Sequence, residues 1–301
     1  MSTLSCEYLF RDKYREVILC EFQQELALVR QLIEIAEESV RLKKPIDSWS
    51  HEGICHMFAK SIIDYAKMAY DNMRLGHFFA THMIFRTMIE NCVCMDVIQC
   101  HPEHELWKYY LVKSYRDALK STGNAIEEDE QNFLEELYQD HKIEEEFYTK
   151  SKKKESQKAF AYIDKDYGWT YKINSNFTFS GLCNLIDQRE YRDFKLMSMY
   201  SHGTAIHLKI GSFASMDHVF NMLSFFFHIL NRLADMYCYE TVDTKFEKTS
   251  KKLERIIKKY IKEYDTFLKY EKILWQSLGL MDKKYNILWR KITEICSLPE
   301  I

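Results

Sequence analysis

The chain has 301 residues, of which 47% are hydrophobic, 29% charged and 15% aromatic, with a formal net charge of -3. Only 8 glycines and 3 prolines are present. That is about 4% of the chain, against roughly 12% in average proteins, and strands need the turns that these residues supply. The composition therefore excludes a sandwich, a barrel, a doubly wound α/β enzyme, a Gly-rich phosphate loop and a long flexible linker, and predicts an all-α protein. The near-neutral charge announces no nucleic-acid or membrane partner, and the plentiful aromatics exclude whole-chain disorder.

The expected helices follow the rare breakers. Tyr14, Val17, Ile18, Phe22, Leu26, Val29, Leu32, Ile33 and Ile35 recur at mostly three- and four-residue steps, which predicts a helix over 6–41. Pro45 and the segment DSWSHEG end it. Further helices are expected over 54–73, 77–99 and 103–119, punctuated by Gly76 and Pro102. From Glu127 to Glu146 ten carboxylates face one lysine, and the sign reverses at Lys150 and Lys152–Lys154. This reads as a solvated helix and connector, or as an acidic lure for a basic partner. Residues 161–190 are the least helical, a structured loop carrying Trp169, with Ser180 as N-cap of a short helix. Helices over 191–201 and 214–240 follow.

The run VFNMLSFFFHIL, interrupted by Asn221 and His228, is too short to span a bilayer and predicts a buried core helix. No membrane partner is expected. The start shows no secretory pattern, and 9 scattered cysteines read as reduced thiols, so a cytoplasmic protein is expected.

From Lys245 to Lys272 ten Lys/Arg accompany five Asp/Glu. Phe246, Leu253, Tyr260, Phe267 and Leu274 stand seven apart, with Ile257 and Tyr264 between them. The seam fits a helix packed on the bundle, a dimerisation helix or a polyanion-binding face. We expect a homodimer through 245–289, with burial inside the monomer as the rival. The whole chain reads as an all-α bundle of nine or ten helices, divided into a bundle domain over 1–240 and a long C-terminal helical pair over 241–301, packed on or protruding from the bundle.

Two stretches could carry chemistry. In FRTMIEN, Arg86 and Glu90 are four apart, so one helix face presents both, among apolar neighbours that make charges expensive. In YRDFKLMSMYSHGT, Phe194, Ser198 and His202 fall on one stripe. A Ser–His pair suggests nucleophile and base, but no Gly-flanked elbow accompanies it, and a satisfied polar pair is the plainer reading. CVCMDVIQCHPEH offers Cys92, Cys94, Cys100, His101 and His104, but Cys92 and Cys94 point to different helix faces. A turn over His101–His104 capping the next helix is expected there instead of a metal site. No metal or cofactor is expected.

FRTMIEN, WTYKI at Trp169 and FKLMSMYSHGT, in this order, resemble an uncharacterised bacterial helical family, the domain of unknown function 5677. The family has an Arg-x3-Glu helix, a Trp-bearing loop and a Tyr-x3-Ser-x3-His helix; Phe194 stands where the family has Tyr. The resemblance implies that Arg86, Glu90, Ser198 and His202 converge at one polar site covered by Trp169. The family is loosely similar to HEPN domains, helical RNA- and nucleotide-associated proteins that include toxins and antiphage-defence components. Their motif is a closely spaced Arg and His; here Arg192 and His202 have nine residues between them. Applied here, the resemblance implies an RNA or nucleotide partner and a dimer, with His202 as general acid/base and Arg86 or Arg192 stabilising phosphate charge. The competing expectation is a non-enzymatic interaction module acting through the C-terminal helices.

Overall fold

The structure, a computed structural model, describes residues 22–43, 50–122, 165–186, 216–238 and 244–262. These residues contain seven α-helices and no strand: α1 (Gln23–Leu42), α2 (His51–Arg74), α3 (Phe78–Cys100), α4 (Leu106–Thr122), α5 (Phe179–Cys183), α6 (Met216–Met236) and α7 (Thr244–Lys262). Short 3-10 turns cover Pro102–His104 and Gly168–Thr170. The all-α expectation holds. The expected nine or ten helices concern the whole chain, and the expected helix over 191–201 lies outside the described residues.

The helix ends have local causes. At the start of α2 the Ser50 hydroxyl accepts from the Gly53 N–H at 3.0 Å, and the Ser50 carbonyl accepts from the Ile54 N–H. At its far end Gly76 takes a left-handed φ of 73°. The His77 N–H then reaches back to the Asn72 carbonyl at 2.8 Å and the Gly76 N–H to Met73 at 3.0 Å. This is the paired closure that a left-handed residue permits, and it turns the chain from α2 into α3 within three residues.

The chain divides into two compact units: Met1–Lys44 with Ala59–Cys92 and Asp193–Ile301, and Pro45–Phe58 with Val93–Arg192. In the first, α1, α6 and α7 pack on one another. Leu26, Val29, Leu32, Ile33, Ala36 and Val40 of α1 are buried at the three- and four-residue steps that the sequence shows. In α6, Val219, Met222, Leu223, Phe226, Leu230 and Leu233 are buried, so the apolar run is a core helix as expected. No described helix is long and apolar enough to cross a membrane. The ring of Phe85 in α3 lies 4.9 Å edge-on to Phe226 and 5.5 Å from Phe225. Between α6 and α7, the Ser250 hydroxyl donates to Asn231 Oδ1 at 2.7 Å.

The seam of α7 takes part in this core. Phe246, Leu253 and Ile257 are 2%, 0% and 3% exposed. Within the chain itself α1 and α6 cover that face, so these three residues supply no surface to a second copy. Tyr264, Phe267, Leu268 and Leu274 lie outside the described residues.

The ends of α1 and α6 are clasped. Lys43 Nζ donates to the Tyr237 carbonyl at 2.8 Å and sits 4.8 Å from the centre of its ring, while the Tyr237 hydroxyl donates to the Lys43 carbonyl at 3.4 Å. Burial pushes the neighbouring Cys238 thiol up to about 12, the Lys43 charge acting weakly in the opposite sense. The folded chain thus keeps a proton that the unfolded chain releases near pH 8.5. Stability from this group is complete below that pH and falls as pH rises toward 12, by at most about 1.4 kcal/mol per pH unit. Urea titrations from pH 8 to 11 should show a shallower decline for Cys238→Ala than for the wild type; parallel declines would contradict the assignment.

The second unit is built on aromatic rings. Trp169 is 1% exposed and meets Tyr110 edge-on at 5.4 Å, and Tyr110 in turn lies 4.9 Å from Phe58. Tyr109 and Tyr171 pair edge-on at 5.5 Å. The Trp169 segment packs on α4. It is followed by a chain of hydrogen bonds. Asn174 Nδ2 donates to the Asn176 carbonyl at 2.8 Å, the Thr178 hydroxyl to Asn176 Oδ1 at 2.9 Å, and the Gly181 N–H to the Thr178 hydroxyl at 3.1 Å. Thr178, not Ser180, is therefore the N-cap of α5. Thr178 is extended, with φ -112° and ψ 162°, which aims its hydroxyl at the third N–H of the helix, while Ser180 already lies inside it.

Candidate functional site

Arg86 and Glu90 lie on one face of α3, in the first unit, four residues and one turn apart. Both are half-buried. The opposite side of the helix is core: Phe85 and Met88 are fully buried, Ile89 and Cys92 nearly so. An apolar helix presenting two opposite charges at its partly covered edge is the geometry expected from FRTMIEN. Beside them the Asn91 amide donates to the Ser61 hydroxyl of α2 at 3.0 Å, fixing the register of the two helices next to the charged pair.

One further residue extends the stripe. His82 stands one turn before Arg86 at the same four-residue spacing and is 1% exposed. His82, Arg86 and Glu90 therefore form a continuous line of imidazole, guanidinium and carboxylate along one face of α3. The sequence reading passed over His82, although the spacing rule that pairs Arg86 with Glu90 finds it when applied one step earlier. Such a line can hold an anion beside the guanidinium and move a proton at the imidazole or carboxylate.

Trp169 belongs to the second unit, where its ring is part of the aromatic core. Ser198, His202 and Arg192 lie outside the described residues, so among the expected site residues the structure brings Arg86 and Glu90 together on one face.

The cysteine- and histidine-rich stretch covers the second half of α3 and the turn that follows it. Cys92 and Cys94 are buried and fall in different units. Glu103 draws both histidines, His104 Nε2 at 3.2 Å and His101 Nδ1 at 3.7 Å from the same carboxylate oxygen. Among the described residues no group of three or more His, Cys, Asp or Glu side chains could hold a metal ion. The expected turn is present as the 3-10 segment Pro102–His104. Glu105 follows it in a left-handed conformation, its carbonyl accepting from the Lys108 N–H in the first turn of α4.

Fold and stripe together define an all-helical protein with a line of ionisable side chains on one face of α3. The chain belongs to the family of unknown function DUF5677, which matches residues 51–218 and so takes in the α2–α3 hairpin, α4 and the Trp169 segment. No curated protein and no solved structure matches the chain.

Proposed function

We propose that this protein is a HEPN-like helical protein that cleaves RNA or binds a nucleotide, a toxin or antiphage-defence component by class. The observation that supports this reading is the stripe along α3 of half-buried Arg86 and Glu90 with buried His82. Ionisable groups are seldom kept at the edge of a core without a task. In this reading Ser198 and His202 join Arg86 and Glu90 at one polar site. His202 serves as general acid/base, and Arg86 or Arg192 stabilises charge developing on phosphate. A homodimer through 245–289 belongs to the same reading, with Leu253 and Ile257, which are buried within the chain, taking no part in the interface. Light scattering that returns 36.3 kDa at every concentration would refute the dimer.

The test of the activity is expression of wild type and His202→Ala in bacteria, with total RNA examined. Growth arrest and RNA cleavage are expected for wild type alone. If His202→Ala folds normally and both proteins leave RNA intact, the alternative gains: a non-enzymatic interaction module acting through its C-terminal helices.

A further inference from the structure

We infer that the outward face of α7 binds the phosphate backbone of single-stranded RNA. The inference takes the identity of the polyanion from the reading above, but the surface itself lies beyond residues 51–218, outside the region that the family covers.

The argument begins with the arrangement of charge on this helix. Between Thr244 and Lys262 there are eight Lys/Arg and two Glu. Around the helix they sort into three lines. Phe246, Leu253 and Ile257 form the buried line. Glu247 and Glu254 sit on one flank, where they pair with Lys251 and Lys258 at 3.5 and 2.5 Å. The remaining cations take the other side. Lys248, Lys252, Arg255 and Lys259 follow one another at steps of four, three and four residues, the repeat of a single helix face, and all four are exposed. Among the described residues none of these four has an ion-pair partner. Lys245 and Lys262 continue the register at either end.

A surface designed only for solubility intersperses both signs. Here both carboxylates are confined to one flank and the stripe contains none. At about 1.5 Å per residue these four cations span roughly 16 Å. A nucleic-acid strand that advances about 3.4 Å per phosphate offers about five phosphates over that length, so a line of four point charges matches one strand running along the helix. An acidic membrane surface fits less well. Interfacial helices place an apolar face into the bilayer, and the apolar face of α7 is covered by α1 and α6.

The test is fluorescence anisotropy of labelled oligouridylate across a salt series, with the full chain. It is run on wild type and on His202→Ala, so that cleavage and binding are read separately. The fourfold variant Lys248→Gln, Lys252→Gln, Arg255→Gln, Lys259→Gln should bind at least tenfold more weakly at low salt. Its slope of log affinity against log salt should flatten by about 3, since each phosphate contact on a single strand contributes about 0.7. Lys251→Gln with Lys258→Gln, which removes the paired lysines, should change affinity less than twofold. Tight binding that persists unchanged in the fourfold variant overturns the inference. So does failure of wild type to bind oligouridylate at low salt, with or without binding to phosphatidylserine vesicles. Salt-dependent RNA binding that is lost in the fourfold variant, in a protein that cleaves no RNA, supports the α7 surface while removing the nuclease reading.

Discussion

Leu253→Asp is expected to unfold the first unit, with a loss of at least about 4 kcal/mol in urea titration. The side chain is fully buried in the face of α7 that α1 and α6 cover. A carboxylate placed there would lose its hydration and find no cation inside, because the cations of α7 project from its other sides. Breaking a buried site with an unpaired charge costs roughly 3–5 kcal/mol, and the lost leucine packing adds to it. Lys251→Ala, two positions away and exposed, should shift stability by no more than about 0.5 kcal/mol. Were α7 a dimerisation arm, Leu253→Asp would instead give a folded monomer with an unchanged melting temperature. That outcome would contradict the packing described above.

Gly181→Ala is expected to cost about 3 kcal/mol and to loosen the segment from Gly168 to Cys183. A Cβ at this position would fall far inside contact with the Asn176 carbonyl oxygen and 2.9 Å from its carbonyl carbon. The obstacle is backbone, so no side chain can rotate away. The same carbonyl accepts from Asn174, and Asn176 Oδ1 accepts from Thr178. Moving the strand of chain at Asn176 therefore disturbs the cap of α5 as well. Overpacking of this kind costs about 1–3 kcal/mol, and each hydrogen bond disrupted adds about 1 kcal/mol. Hydrogen exchange should show faster amides from Gly168 to Cys183 in the variant. Thr178→Ala should cost about 1 kcal/mol, as the loss of an N-cap does, and Ser180→Ala much less. If Ser180→Ala proved the more damaging of the two, the capping assignment would be wrong.

Much of the helical frame is legible in the sequence because its signals are local. Gly76 marks a turn whose left-handed backbone few other residues adopt, and Pro102 opens a 3-10 turn, where its fixed φ and missing N–H cost nothing. The steps of three and four residues in α1 and α6 mark the faces that end up buried. The same spacing places Arg86 and Glu90 on one face, and His82, one turn earlier, obeys it too. Ser180 was the wrong cap, since a hydroxyl caps by virtue of an extended backbone at its own residue, and composition does not report which of Thr178 and Ser180 has it.

The amino-acid sequence by itself determined that the protein is helical, where most of its described helices begin and end, and which side of each is apolar. What covers an apolar side was decided only by the tertiary structure. The seven-residue seam of α7 fits a partner chain and an internal helix equally well, because both offer the same hydrocarbon surface. The fold filled that seam with α1 and α6, residues more than two hundred positions away in the case of α1. The same holds for Trp169, which meets Tyr110 of α4, itself against Phe58 of α2, both far away in the chain. Periodicity records which side of a helix avoids water; the surface that shields it there is set by contacts between residues far apart in the chain.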